Sequence, residues 1–328
     1  MAFGVQVMLR GAVFGAALAL AAIPSSAQPN APGTWTLAAQ TTTERTEVAV
    51  AAVNGKIYVL GGEALGRQDS PLFQEFDPAT QRWRDLAPMP RGASHIGIAA
   101  LNGKIYAAGG FTANVHKNPL DQFLEYDIAN NGWRQLAPLS APLGSVSLAA
   151  LDGKIHAVGG RGPDGNTVPT HSVYDPATNR WTTAARLPVQ RDHLGMLVMN
   201  GAIHVFGGRI GATVDNVGLH DMYDAKTDSW RSLAMMPTPR SSGAATVYRG
   251  LILYHGGECK DPVKRITFDQ FEAYDPKTDS WRELARAPTG LHAHGAATVG
   301  DTAYFIGGSA GCGGDNQSKA VYAFKLSS

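Results

Sequence analysis

Arginine, glutamate, histidine and serine residues recur at fixed distances from six Gly-Gly pairs, and these side chains have the chemistry to bind a ligand or transfer a proton. Ten positions before a turn glycine, or before Asp301 in the last repeat, the chain places Arg45, Arg191 and Arg240. Eight positions before the same turn it places Glu47, His95, Ser145, His193 and Ser242. Directly after the Gly pairs come Glu63, Arg161, Arg209 and Glu258. This spacing predicts that these side chains converge in the folded protein.

Three arginines at equivalent positions indicate a site for an anionic group. A guanidinium group binds a carboxylate or a phosphate through two parallel hydrogen bonds, so Arg45, Arg191 and Arg240 are candidate anion anchors. The alternative is structural, because an arginine often packs its stem against apolar surface and hydrogen-bonds backbone carbonyls. His95 and His193 have the same two interpretations, as ligand contacts or as hydrogen-bonded structural groups.

Carboxylates and imidazoles in the same set would suit acid–base chemistry, with Glu63, Glu258 and His193 as the candidate catalytic residues. A metal site has less support, because the sequence contains no HExxH helix and no CxxC pair. His292 and His294, two residues apart on an extended segment, would point the same way and form a two-ligand half-site. We expect neither a metal ion nor another cofactor.

The elements that must position these residues follow from an internal repeat. Each of six tryptophans is followed 26 positions later by a Gly pair, and five aspartates each precede a tryptophan by six positions. All length variation therefore falls between the Gly pair and the aspartate. The tryptophans are Trp35, Trp83, Trp133, Trp181, Trp230 and Trp281.

The repeat, with its Gly pair, its aromatic residue before Asp-Pro and its tryptophan at a period near 50 residues, resembles the kelch repeat from Trp35 to the C-terminus. The resemblance implies an all-β, six-bladed kelch-type β-propeller whose last blade is closed by the N-terminal strand around Trp35. It also implies that arginines and serines at the start of each blade's first strand grip acidic ligands. The family includes sugar-handling enzymes such as a periplasmic N-acetylneuraminate epimerase, which the chain resembles distantly.

Apolar runs and turns predict four strands, named a to d, in each repeat. In the first repeat these are Glu47 to Val53, Lys56 to Gly61, Phe73 to Asp77 and Arg82 to Ala87. Antiparallel connection places the short a–b and c–d turns on one side, and the d–a loops and variable b–c loops on the other. Because function on a rigid scaffold usually lies on variable loops, we expect the site on the b–c/d–a face, around the central channel.

The N-terminus reads as a secretory signal. Arg10 precedes an apolar segment and small residues before Ala27, which predicts a signal peptide over residues 1–27 and a propeller over residues 28–328. The apolar run is too short for a membrane anchor, which is the alternative. We expect a periplasmic or secreted monomer that does not insert into the membrane after cleavage. A net charge of +1 argues against nucleic acid as a partner.

Two cysteines, Cys259 and Cys312, follow the last two Gly pairs in neighbouring b–c loops. In an oxidising compartment they are expected to form a disulfide, and the alternative is two unrelated thiols.

The sequence thus predicts a propeller that binds a polar or anionic ligand, such as a sugar acid, a carboxylate or an acidic peptide, on its b–c/d–a face. One alternative is a carbohydrate-active enzyme, for example a sugar mutarotase or epimerase. A second alternative is a scaffold that binds a protein partner.

Overall fold

The computed structural model describes residue 1 and residues 32–64, 66–112, 116–211 and 215–327. The predicted signal peptide therefore lies, apart from Met1, outside the described residues. The strands in the described part are β1 (Thr34–Gln40), β2 (Ala49–Val53), β3 (Lys56–Leu60), β4 (Phe73–Asp77), β5 (Arg82–Asp85), β6 (Gly97–Leu101), β7 (Lys104–Ala108), β8 (Phe123–Asp127), β9 (Gly132–Gln135), β10 (Ser147–Leu151), β11 (Lys154–Val158), β12 (His171–Asp175), β13 (Arg180–Thr183), β14 (Gly195–Met199), β15 (Ala202–Phe206), β16 (His220–Asp224), β17 (Ser229–Ser232), β18 (Ala244–Tyr248), β19 (Leu251–His255), β20 (Phe271–Asp275), β21 (Ser280–Glu283), β22 (Gly295–Val299), β23 (Thr302–Ile306) and β24 (Ala320–Lys325).

These strands form six antiparallel sheets of four strands each, which are the blades of a propeller. Blades one to five each use four consecutive strands, beginning with β2. The sixth has the order β1-β24-β23-β22, with Trp35 opposite Phe324 in the pairing of β1 with β24. The predicted closure of the last blade by the N-terminal strand is confirmed. Closure removes the free sheet edges that would otherwise pair with other chains.

The apolar core lies between the faces of neighbouring blades. Phe73 of blade one packs edge-to-face on Tyr126 of blade two, with ring centroids 4.8 Å apart, and both residues are fully buried. Similar clusters fill the other junctions. Because both faces of an inner sheet are covered, strand β3 is buried at four consecutive positions and does not alternate.

The Gly pairs follow each second strand and bring the chain against the d–a loop that enters the same blade. Gly62 has a φ of 92°, and a Cβ atom there would lie 2.3 Å from the carbonyl oxygen of Thr46. A side chain would therefore clash with the backbone, in a conformation that glycine adopts without cost. Among the described residues, no helix has the length and apolarity needed to cross a bilayer.

Candidate functional site

Six equivalent residues, one from each blade, form a ring at one mouth of the central channel. All six have left-handed backbone conformations, with φ between 51° and 57°. Backbone hydrogen bonds link neighbouring blades here, for example from Ser145 N to His95 O at 3.0 Å and from Ala293 N to Ser242 O at 2.7 Å. The ring residues are Glu47, His95, Ser145, His193, Ser242 and Ala293, and all of them line a cavity of about 140 Å³.

Strand a begins after this ring and not within it as predicted. Strand β2 starts at Ala49, two residues beyond the predicted start at Glu47. The left-handed φ of the ring residue interrupts the extended conformation that pairing requires. Residues on the two sides of the ring position therefore do not follow regular strand alternation.

The arginines two positions before the ring do not face the channel. Arg45, Arg191 and Arg240 are at most 1% exposed. Arg45 donates to the carbonyl of Leu72 at 3.3 Å and to Oε1 of Gln74 at 2.9 Å, so its hydrogen bonds go to its own blade. Burial lowers the pKa of Arg45 to about 10.

The other two arginines of this set pair with buried carboxylates. Arg191 contacts Asp221 at 2.8 Å, and Arg240 contacts Glu272 at 2.5 Å. Arg240 also donates to the carbonyls of Gly256 and Tyr254. The structural interpretation therefore accounts for all three arginines, and their placement does not support the role of anion anchors.

Three imidazoles meet at the mouth. The ring centroids of His95, His116 and His193 are 5.1 to 5.3 Å apart, each pair edge-to-face. One nitrogen from each histidine lies within 4.8 Å of the other two. His116 reaches the ring from the b–c loop of blade two.

Two of these imidazoles each lie beside a carboxylate. Nε2 of His95 lies 3.1 Å from Oε2 of Glu47, and Nδ1 of His193 lies 3.1 Å from Oδ1 of Asp192. Neither contact has hydrogen-bond alignment. Burial alone would lower the pKa of His95, but the Glu47 carboxylate outweighs burial and raises it. The pKa of His193 is lowered by burial and by Arg209, against the opposing effect of Asp192.

A buried charge network supports one side of the ring. Asp192 accepts from Nε of Arg161 at 2.6 Å and from Nε of Arg209 at 3.3 Å. Arg209 also donates to Glu258 at 2.7 Å, and Glu258 accepts from the backbone N–H of Gly313 at 3.0 Å. Burial alone would raise the pKa of Asp192, but His193 and the two arginines hold it well below its usual range. Both mouth arginines are therefore already paired with carboxylates.

The backbone of Glu63 forms a β-bridge with Thr46, which directly precedes the ring residue Glu47. Burial, together with the charges of Glu47 and Glu258, raises the pKa of Glu63 to about 7. The predicted carboxylates Glu63 and Glu258 thus sit beside the ring, and Glu47 sits on it.

His292 and His294 have different neighbours and do not form a two-ligand half-site. Nε2 of His292 lies 3.9 Å from Glu258 and 4.0 Å from Glu47. His294 pairs with His255, with 2.9 Å between their ring nitrogens. The three-histidine group is instead built from two repeats, with His95 and His116 from blade two and His193 from blade four.

The two cysteines lie where the sequence places them, in the b–c loops of blades five and six. Cys259 and Cys312 are at disulfide distance, with their Cα atoms 5.2 Å apart. The pair joins the loops beside Glu258 and Gly313, so it restrains one wall of the mouth.

Sequence reasoning missed two residues of this site. Asp192 stands between two recognised candidates, and the signal for it was the Arg-Asp-His run at residues 191–193. His116 lies in a loop of variable length, where no repeat position exists from which to align it. Its only signal was membership of a b–c loop on the expected face.

Six blades around a channel, closed by strands from both ends of the chain, define a kelch-type six-bladed β-propeller. The chain belongs to the Attractin/LZTR1 β-propeller family, whose model matches residues 57–316. Over 58 residues it is 40% identical to an F-box/kelch-repeat protein of Arabidopsis thaliana, a segment that covers 17% of this chain and only 15% of that relative.

Among solved structures, the chain is similar to the structure of YjhT. The TM-score is 0.75 at 14% identity, over 89% of this chain and 100% of that one. At this identity the likeness concerns the fold, and the function has to be argued from the site.

Proposed function

We propose that the protein binds a small, polar, uncharged ligand, such as a sugar, at the channel mouth. The observation that carries this proposal is the ring of six residues, because those with hydroxyl, imidazole and carboxylate groups line one cavity. The Oγ atoms of Ser145 and Ser242 are buried there and make no hydrogen bond to the described residues. Buried polar groups are normally hydrogen-bonded, so these hydroxyls are suited to a ligand that carries its own.

The charges around the cavity favour an uncharged ligand over an anionic one. Arg161 and Arg209 are paired with Asp192 and Glu258, and Glu47 adds a further carboxylate on the ring. An anionic ligand would have to compete with these carboxylates for the guanidinium groups. A polyhydroxy ligand meets no such competition, because it can donate to the carboxylates and accept from the imidazoles.

The cavity also limits the size of the ligand. Its volume of about 140 Å³ is below the range of about 300–1,000 Å³ that is usual for drug-sized ligands. A ligand of monosaccharide size or smaller would fit, partly exposed to solvent.

The second candidate function is a sugar mutarotase or epimerase. It is favoured by the two imidazole–carboxylate contacts across one cavity, Glu47 with His95 and Asp192 with His193, whose rings are 5.1 Å apart. Groups of this kind transfer protons to and from bound hydroxyls. Exchange between sugar anomers, followed by NMR, would be accelerated by the protein and slowed in His193→Gln if this candidate is right.

The binding proposal is tested by a thermal-shift screen of neutral sugars, polyols, sugar acids and small carboxylates, with a chelator present throughout. A ligand at about a hundred times its dissociation constant adds about 2.7 kcal/mol to the stability of the folded protein. We expect a neutral sugar to bind, with an affinity about thirtyfold lower in the double variant Ser145→Ala/Ser242→Ala, because each of the two lost hydrogen bonds is worth about 1 kcal/mol.

Ser280→Ala, the same change on an outer strand, is the matched control and should bind as the parent protein does. Binding of sugar acids alone would overturn the uncharged-ligand proposal in favour of an anion site. No shift with any compound would reject a small-molecule site and leave the protein-scaffold alternative.

A further inference from the structure

We propose that His95, His116 and His193, together with Glu47, bind one divalent transition-metal ion of the zinc type at the channel mouth. This inference goes beyond the proposed function and does not depend on it, although both concern the same cavity. Three imidazole nitrogens within 4.8 Å of one another are the starting observation. Imidazole is a preferred ligand of zinc, copper, iron and nickel ions.

The nitrogen lone pairs of two of these histidines point at one place. Nη2 of Arg209 donates to Nε2 of His116 and to Nε2 of His193, at 3.1 Å in both cases. A donor that serves both nitrogens marks the point on which their lone pairs converge. A cationic group already stands there, which shows that the surrounding carboxylates accommodate positive charge at this point.

The third imidazole faces the same cavity with a nitrogen that has no hydrogen-bond partner among the described residues. His95 is 8% exposed, and its Nε2 atom is buried without a hydrogen bond while lying 3.1 Å from Oε2 of Glu47. When His95 is neutral, this nitrogen and the carboxylate oxygen can bind one metal ion in place of the proton of their ion pair. Together with His116 and His193, His95 supplies three nitrogens, and Glu47 stands beside one of them as an oxygen ligand.

The far side of two rings is held in the way that metal-binding histidines require. Nδ1 of His95 lies 3.0 Å from Oγ of Ser94, and Nδ1 of His193 lies 3.1 Å from Asp192. Such outer contacts orient the rings and leave Nε2 for the metal. The absence of sulfur from the set argues against copper(I), and its nitrogens argue against magnesium and calcium.

Binding requires two movements. Zinc–nitrogen bonds of about 2.0–2.1 Å bring ligand atoms to within about 3.5 Å of one another, so the group must contract. His116 lies on a variable loop and can supply that movement. The guanidinium of Arg209 is planar and must swing away as a unit, which breaks its contacts with Asp192 and Glu258. Asp192 then keeps its contact with Arg161, and Glu258 keeps the backbone N–H of Gly313.

The test uses full-length, tag-free protein that has been treated with a chelator and desalted. Titration with Co²⁺, followed by its visible absorption, should show one ion per chain, and Zn²⁺ should displace it. His116→Ala and His95→Ala should each weaken binding at least about tenfold, since loss of an outer contact alone costs about 10–100-fold. His116→Ala is the safer variant for folding because this side chain is only partly buried.

Lys117→Ala changes the exposed neighbour of His116 on the same loop and is the matched control, which should bind Co²⁺ like the parent. Sub-stoichiometric binding, or binding that survives both histidine variants, would overturn the inference. Because the sugar screen is run with a chelator, loss of metal binding with sugar binding intact rejects the metal site alone. The converse result rejects the sugar proposal alone.

Discussion

In blades three and four, a buried histidine pair occupies the place that a pair of aromatic rings holds in blades one and two. His156 and His171 of blade three have ring nitrogens 2.9 Å apart, and so do His204 and His220 of blade four. The equivalent places in blades one and two hold Tyr58 with Phe73 and Tyr106 with Phe123. Burial lowers the pKa of His156 and of His204 to about 4 and that of His220 to about 3. A second histidine therefore serves as a neutral hydrogen-bonding partner, while the two rings of each pair stay in contact with centroids 5.2 Å apart.

These pairs predict that acid destabilises the fold. The unfolded chain takes up protons on these histidines near pH 6.5, whereas the folded chain does not until about pH 4. The free energy of unfolding should be insensitive to these groups above pH 6.5. It should fall by up to about 1.4 kcal/mol per pH unit per histidine as the pH drops through that window. Urea unfolding at about pH 7 and about pH 5 measures the slope.

The control is the double variant His156→Phe/His171→Phe. Whatever its absolute stability, its slope with pH should be smaller, because two groups that take up protons on unfolding are gone. An unchanged slope would show that these histidines are not the source of the acid sensitivity.

The c–d turns of blades two to five each fasten their blade to the preceding blade. In blade three, Oδ1 of Asn179 accepts from Tyr174 Oη at 2.9 Å and from the backbone N–H of Ala137 at 3.0 Å. Trp181 donates from Nε1 to the carbonyl of the same Ala137 at 2.9 Å. The same arrangement recurs in three other blades, with Asn131, Asp228 and Asp279 as the turn residues. The repeated tryptophan therefore bonds across a blade junction.

Asn179→Ala should lower the free energy of unfolding by about 1–3 kcal/mol, because it leaves two polar groups without a partner and puts alanine in a strained backbone conformation. The φ of Asn179 is 54°, a conformation that asparagine tolerates better than alanine. Asn179→Asp is the matched control and should change stability little, since Asp228 fills the equivalent place. Urea denaturation of the three proteins gives the comparison, and equal losses in both variants would contradict this role for the turn.

Closure of the propeller depends on the N-terminal strand β1. Trp35 on β1 is 4% exposed and donates from Nε1 to the carbonyl of Ala285 at 2.7 Å. Its ring lies 4.8 to 5.1 Å from those of Phe271, Phe305 and Phe324. One side chain thus completes blade six and joins it to blade five.

Trp35→Ala should cost about 3–5 kcal/mol of stability, the usual loss for a large aromatic residue removed from a core. Trp35→Phe keeps much of the ring packing and loses the Nε1 hydrogen bond, so it should cost distinctly less. Thermal and urea unfolding of both variants test this. If the alanine variant is no less stable than the phenylalanine variant, packing of the N-terminal strand contributes little to closure.

The architecture could be predicted from the sequence because it depends on local patterns that repeat. A Gly pair, a two-residue turn and a tryptophan at constant spacing define a blade wherever they occur, and the Trp35 copy that precedes the first blade implied closure of the ring. The spacing also placed Glu47, His95 and His193 together, since equivalent positions in a symmetric ring must converge.

The direction of the side chains was decided only in the tertiary structure. The left-handed ring residues interrupt the strand alternation, so Arg45 is directed into its own blade. There its guanidinium donates hydrogen bonds to the carbonyl of Leu72 and to Gln74. His116 joins the imidazole group from a loop that has no repeat position. Periodicity predicts where equivalent residues lie, but contacts between different repeats set the backbone conformation and loop path that determine which of them face the channel.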